Sequence, residues 1–268
     1  MNPPRGLLGR LNHGRSVSQA LFLGLTLWIS YRFLAGSPDA TVEKYCPFGG
    51  VETLLPWLRK QGALCNLSTM NISVLAGVVI LTLLFKRVFC SHICPLGAVF
   101  EWTGKLSRRF LIRSWRLPEV IHRVLLGLKY PLMVLIVVLT VRAGELVFRD
   151  LDPYYVLFTL GKGHGILGFG LWVTIAVLAG GLLLPLAFCK YLCPLAACLA
   201  PLSRFGLVRI HRNAPRCTHC GQCDKACEWG IAVSESPVVT SPECSNCLDC
   251  LRQCPVPDTL SLRLGGSE

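Results

Sequence analysis

The chain has 268 residues, 52% of them hydrophobic and only 16% charged, with a formal net charge of +12. Such a composition is far from that of an average soluble domain and makes a bilayer the expected solvent. The basic residues are scattered between apolar stretches with no interleaved aromatic and basic surface, which argues against a nucleic-acid partner, and the fifteen cysteines fall mostly into close repeating groups that read as metal binding instead of disulfides.

In chain order, the N-terminal arm carries Arg5, Arg10 and Arg15 and leads into an apolar stretch from about Ser18 to Ala35. The run is long, the cleavage signature around Phe33 to Ser37 is poor and no paired arginines precede it, so an uncleaved anchor is expected in place of a signal peptide. Three more apolar stretches follow, at Ile72 to Phe89, Val124 to Val141 and Ile166 to Phe188. Each is close to the roughly 20 residues a spanning helix needs, and an open sheet could not satisfy its backbone in lipid. An all-α membrane four-helix bundle is the expectation for residues 1–203. Lys129, inside the third stretch, is costly in lipid but too isolated to interpret.

The distribution of lysine and arginine sets the expected orientation. Lys86, Arg87, Lys105, Arg108, Arg109, Arg113, Arg116 and Arg123 crowd the link between the second and third stretches. The other two links hold only Lys44, Arg59 and Lys60, and Arg142, Arg149 and Lys162. Both termini, and a tail from 204 to 268, are therefore expected in the cytoplasm of a bacterial-type inner membrane.

An internal repeat runs through the first 203 residues. Phe89-Cys90-Ser91-His92-Ile93-Cys94-Pro95-Leu96 follows the second stretch, and Phe188-Cys189-Lys190-Tyr191-Leu192-Cys193-Pro194-Leu195 follows the fourth. Upstream, Tyr45-Cys46-Pro47 aligns with Leu151-Asp152-Pro153. The expectation is two parallel repeats of two helices about an axis along the membrane normal.

Cysteines at i and i+4 share a helix face, so each CxxxCP motif can offer two thiols before its proline disturbs the helix. Cys90, Cys94, Cys189 and Cys193 are candidates for a third metal centre or a redox dithiol, against a reading of them as small buried apolar residues. His92 is a candidate to tune such a centre or simply a helix-end residue. Cys46 and Cys65, in the first outer link, are redox candidates as a disulfide, an active pair or a metal contact, against two structural cysteines.

The strongest chemical signal is in the tail. CTHCGQCDKAC supplies Cys217, Cys220, Cys223 and Cys227, and CSNCLDCLRQCP supplies Cys244, Cys247, Cys250 and Cys254. In the CxxCxxCxxxC pattern three thiolates wrap one cubane and the fourth ligates the other. That assigns Cys217, Cys220, Cys223 and Cys254 to one [4Fe-4S] cluster and Cys244, Cys247, Cys250 and Cys227 to a second. Zinc would need only four ligands and no crossed fourth cysteine. Residues 204–268 are thus expected to be a small α+β two-cluster ferredoxin-like domain, with Glu228 where the usual pattern has proline.

Taken together, the four apolar stretches, the two CxxxCP motifs and the two-cluster tail resemble the NapH/MauN ferredoxin-type membrane proteins and the C-terminal membrane half of NosR-type polyferredoxins, over about Val17 to Pro255. The segment YCPFGGVE with Cys46 looks more like the NosR side; the flavin-binding periplasmic domain of NosR proteins has no room in this chain. The resemblance implies a membrane electron-transfer subunit of a quinol dehydrogenase-type complex. It would exchange electrons between the quinol pool, or a cytoplasmic donor, and a partner redox protein such as a periplasmic reductase. It also implies importance for the eight tail cysteines and the four CxxxCP cysteines, and a quinone as the membrane partner. The alternative is a maturation or assembly factor that reduces a metal or thiol at the outer face through Cys46 and Cys65.

Overall fold

A computed structural model describes residues 5–37, 42–58, 68–110, 117–143, 146–160 and 167–265. Cys65 and the link cations Arg59, Lys60, Arg113, Arg116 and Lys162 lie outside the described residues.

The four apolar stretches are all helical. Helix α1 spans Arg5–Leu34. A single 3₁₀ turn, Val42–Tyr45, and Cys46 precede α2, Pro47–Leu58. Helix α3, Ser68–Phe85, is followed after two residues by the short α4, Val88–His92, and then by α5, Pro95–Phe110. Helix α6 runs Glu119–Ala143. A second 3₁₀ turn, Arg149–Leu151, and Asp152 precede α7, Pro153–Thr159, and α8 spans Leu167–Leu183. Within these helices, His13–Leu34 and Glu119–Ala143 are long and apolar enough to cross a membrane; Met70–Phe85 and Phe169–Leu183 are shorter. Only 17% of either long window is buried, whereas a core helix of a soluble protein would be covered. Helix α6 leaves Val124, Val134, Leu135 and Val138 exposed, and α8 leaves Phe169, Trp172 and Ile175 exposed, an apolar surface that calls for lipid or protein cover.

Beyond α8 the chain departs from a single straight helix. The last residue of the expected fourth stretch, Phe188, opens a π turn, Phe188–Leu192, after Pro185 and a left-handed Leu186. Helix α9 is Pro194–Ser203. The tail then folds as a two-stranded antiparallel sheet, β1 Val208–Arg212 and β2 Leu260–Leu264, paired Val208 to Leu264 and Arg212 to Leu260. Between the strands lie α10, Gln222–Ala226, and α11, Asp249–Gln253.

The described residues fall into two compact units, one drawn from 1–21, 79–94 and 199–268 and the other from 22–78 and 95–198. The tail therefore shares a unit with the start of α1, the end of α3 and α4. Its core is Ile210, Cys223, Val233, Val239, Cys244, Cys250, Leu251 and Leu260, so three of the eight tail cysteines are core residues. Gly206 is where the tail leaves α9: a Cβ there would stand 2.6 Å from Lys86 Cγ, and only glycine lets Leu207 N–H reach the Leu83 carbonyl at 3.0 Å.

In the other unit, Phe48, Phe100, Ile136, Val156, Phe158 and Phe188 are buried, and Phe100 stacks on Phe188 at 5.8 Å. Gly50 brings α2 onto α3, since a Cβ would lie 2.6 Å from the Asn71 carbonyl. Lys129 is fully buried here, its ammonium 5.5 Å from the Tyr130 ring.

Candidate iron–sulfur centre

The two cysteine runs of the tail fold alike. In Cys217-Thr218-His219-Cys220-Gly221 the residues at φ > 0 are His219 and Gly221, and in Cys244-Ser245-Asn246-Cys247-Leu248 they are Asn246 and Leu248. Alternating right- and left-handed residues curl successive backbone N–H groups inward into an anion-binding hollow, as iron–sulfur sites require. A left-handed non-glycine residue costs about 1–2 kcal/mol, so three of them at matching places mark a constraint that packing alone does not explain. Helices α10 and α11 then pack on each other and carry Cys223 and Cys250.

The thiols of the two runs lie close together. Burial pushes the Cys250 pKa well above its ordinary value, and Cys247, Cys227, Cys244 and Cys223 add to it. Cys247 is pushed up by burial, Asp249 and, further, Cys227, against the pull of Arg15. Cys227, the fourth cysteine of the first run, thus sits within the field of the second run's thiols. Thiols so placed cannot all ionise without a cationic group among them, which the irons of a cluster would supply. Among the described residues no three His, Cys, Asp or Glu side chains converge tightly enough for a single ion; a cubane spreads its ligands over separate corners. The donor set fits the cluster. Cys220 is exposed, whereas Cys244 and Cys250 are only 6% exposed.

The second run is seated on the first CxxxCP motif. Arg15 Nη1 makes a 3.0 Å ion pair with Asp249 and donates to the Cys247 carbonyl at 3.2 Å, while its Nε donates to the Ser91 carbonyl at 3.1 Å. Ser91 Oγ donates to the Ser245 carbonyl at 2.8 Å. Asn246 Nδ2 donates to the Phe85 and Val208 carbonyls. Arg87 Nη1 pairs with Glu243 at 2.6 Å and stacks over Trp229, and Lys86 Nζ donates to the Ser241 carbonyl at 2.9 Å. Lys86 and Arg87 are fully buried and Arg15 is 5% exposed. Reading these cations from sequence as loop charge missed that role. The available signal was an acid one residue before a cluster cysteine in each case, Glu243-Cys244 and Asp249-Cys250, opposite a Lys-Arg pair just before FCSHICP.

The two CxxxCP motifs close in the same way. Cys94 N–H bonds the Phe89 carbonyl at 2.9 Å, and Cys193 N–H bonds the Phe188 carbonyl at 2.8 Å. Both are i to i+5 bonds, a π-type closure found often at functional sites. The expected single α-turn holding both cysteines is therefore looser: α4 ends at His92, before Cys94, because Pro95 and Pro194 lack the N–H that would continue the helix. Around the second motif, Tyr191 is buried and its hydroxyl lies 2.8 Å from His122 Nδ1, while Cys198 contacts Met133 Sδ at 3.1 Å. His92 Nδ1 lies 2.8 Å from Ser91 Oγ. Cys90 and Cys94 belong to one compact unit and Cys189 and Cys193 to the other.

Cys46 and Asp152, aligned in the sequence repeat, each precede a proline-started helix, and Cys46 Sγ lies 4.0 Å from Asp152 Oδ2. Asp152 caps α7, accepting the Tyr154 N–H at 3.0 Å. They line a cavity of about 30 Å³ with Glu52, Asn71 and Arg149. Glu52 accepts from Thr140 Oγ1 at 2.7 Å. Burial raises both carboxyls to about 7, and Cys46 is pushed up by burial and by Asp152.

The family model described as a 4Fe-4S binding domain matches this chain twice, at residues 67–113 and 165–214. Each match contains one CxxxCP motif, and both stop before Cys217. YccM of Escherichia coli, whose name assigns it to electron transport, is 28% identical over 256 residues, 91% of this chain and 71% of the relative. A protein of Methanocaldococcus jannaschii is 31% identical over 243 residues, 90% of this chain and 91% of its own. The ferredoxin-type protein NapH of Escherichia coli is 29% identical over 196 residues, 67% of this chain and 64% of the relative. The chain belongs to the NapH/NosR-related family of 4Fe-4S proteins. For a member of this family, iron–sulfur electron transfer is the function that the donor set serves. No solved structure matches the chain.

Proposed function

We propose that this family member is a multi-pass membrane protein whose tail, residues 204–268, holds two [4Fe-4S] clusters, one on Cys217, Cys220, Cys223 and Cys254 and one on Cys244, Cys247, Cys250 and Cys227. Residues 1–203 form the membrane part, two parallel repeats with both termini in the cytoplasm. Cys90, Cys94, Cys189 and Cys193 are the candidate ligands of a third centre. The chain passes electrons between the quinol pool, or a cytoplasmic donor, and a partner redox protein. When bound, the clusters supply one-electron carriers whose potentials respond to charge, hydrogen bonds and exposure. The residues of the chain hold them, exclude water and fix the gap.

One observation carries this reading: the Cys244 to Cys250 loop is clamped to the first CxxxCP motif by buried ion pairs at 2.6 and 3.0 Å. Electron transfer needs short fixed gaps, and a swinging tail would not provide them. The family match to both CxxxCP segments supports a metal role there. Cys46 speaks against the maturation reading, because working thiols have lowered pKa values and its own is raised.

Anaerobic iron and acid-labile sulfide analysis with EPR, before and after a reduced quinol analogue, tests the proposal. About eight irons with signals that change on quinol addition are expected for two wired clusters, and about ten to twelve with a third centre. Eight irons indifferent to quinol would replace the quinol pool by a cytoplasmic donor, and no iron–sulfur signal would overturn it.

A further inference from the structure

Arg87 lies in the turn between α3 and α4 and is fully buried. A guanidinium keeps its charge at every pH a protein meets, so its surroundings must supply compensation. Nη1 finds part of it in the 2.6 Å pair with Glu243. The Trp229 ring, 4.6 Å away, supplies a softer part. Nε and Nη2 are also buried, and neither has a hydrogen-bond partner. A buried donor left unsatisfied is costly, because it loses its water partner without gaining another. One turn further on, in α4, stands Cys90, whose backbone N–H bonds the Arg87 carbonyl at 3.0 Å. Cys90 and Glu243 are the side chains that favour the Arg87 charge against burial. A thiol is a weak acceptor; an ionised sulfur makes the stronger, charge-assisted bond.

On its other side Arg87 acts on the tail. Glu243, which its Nη1 holds at 2.6 Å, is the residue directly before Cys244. One fixed charge therefore stands between a sulfur of the first CxxxCP motif and a sulfur of the second cluster loop. The geometry points to Arg87 as the residue that couples the two centres. Nε and Nη2 donate to the sulfur of Cys90 in its anionic, metal-bound form, and Nη1 holds the Glu243-Cys244 loop. The shared charge favours the reduced form of the cluster on Cys244, Cys247, Cys250 and Cys227. Arg87 is a positioning residue, and this role rests on the reading that these cysteines ligate metal.

The test uses the purified full chain in detergent. Iron content of the wild type is measured first, then the reduction potentials of its clusters by EPR-monitored titration, in the wild type, Arg87→Gln and Arg87→Lys. A wild type without iron fails the ligation reading itself. With iron present, Arg87→Gln is expected to lower the reduced-to-oxidised ratio of one cluster, at fixed applied potential, by roughly tenfold, the effect of one unit charge at about 10 Å in an effective dielectric near 20. The other cluster stays where it was. Arg87→Lys, which keeps the charge and loses the planar fork, recovers most of that ratio. No shift, an equal shift of both clusters, or a lysine variant as shifted as the glutamine variant would overturn the proposal. If Arg87→Gln loses iron, Arg87→Lys decides: restored iron and potential support the role of the charge, and loss of both overturns it.

Discussion

The two Phe-Cys-x-x-x-Cys-Pro segments share their letters and their i to i+5 closure, yet they stand in different surroundings. The first is walled by charge: Arg15, Lys86 and Arg87 are buried around it and grip Asp249, Ser241 and Glu243 of the tail. The second holds a buried Lys190 of its own but is walled mainly by aromatic and sulfur groups, with Phe188 on Phe100, Tyr191 on His122 and Cys198 on Met133. A contrast holds upstream too, where Cys46 precedes the proline-started helix in one half of the repeat and Asp152 precedes it in the other. A repeated sequence thus fixes a repeated backbone, while the residues that differ between the copies decide what each copy can hold. Within its own compact unit, the first copy is built as a seat for the tail.

The sharpest way to break this contrast is to remove a cation from the seat. Arg15→Met leaves Asp249, 8% exposed, as a buried charge without its closest partner. Breaking such a pair costs about 3–5 kcal/mol, so the tail of this variant should be cut by protease at a concentration that spares the wild type. A tail as resistant as before would mean that the ion pair does not hold it.

The second largest effect is expected upstream and depends on pH. Asp152 is raised from 3.8, and Glu52 from 4.5, to about 7, chiefly by burial. The unfolded chain releases these protons near pH 4 while the folded chain keeps them to about 7. Stability is therefore fullest in acid, falls as pH rises through that window and is flat above it. Asp152→Asn keeps a side chain able to cap α7 and removes one of the two groups. At pH 8 it should gain stability over wild type, by at most about 4 kcal/mol, and its unfolding midpoint should depend less on pH between 4 and 7. The cysteine copy of the position, Cys46→Ser, should leave that pH slope in place.

The elements were largely legible in the sequence because they rest on local rules. Apolar runs gave the four helices, the CxxC spacing gave the cluster loops, and Pro95 and Pro194 gave the helix breaks. The fold's long-range pairing was not legible. Arg15 and Asp249 are 234 residues apart, and nothing local distinguishes a buried arginine from one that marks the cytoplasmic side of a membrane. The left-handed Leu248 was hidden too, since Gly221 announces that conformation in the first loop and leucine does not in the second. The nearness of Cys227 to the second run's thiols was legible, because the CxxxC spacing turns the fourth thiol away from its own run.

The smallest predicted effect tests the second motif. Tyr191→Phe removes a buried hydroxyl 2.8 Å from His122 Nδ1 and leaves the ring's packing in place. An ordinary hydrogen bond contributes about 0.5–1.5 kcal/mol, so the unfolding midpoint should move down by that little, with tail proteolysis and cluster potentials unchanged. Arg123→Met provides the baseline, because its pair with Glu119 is exposed at 75% and 73% and such pairs contribute within about 1 kcal/mol. If Tyr191→Phe instead shifted a cluster potential as Arg87→Gln is expected to, the second motif would belong to the electron path as closely as the first. The contrast between a charged seat and an aromatic wall would then describe packing and not function.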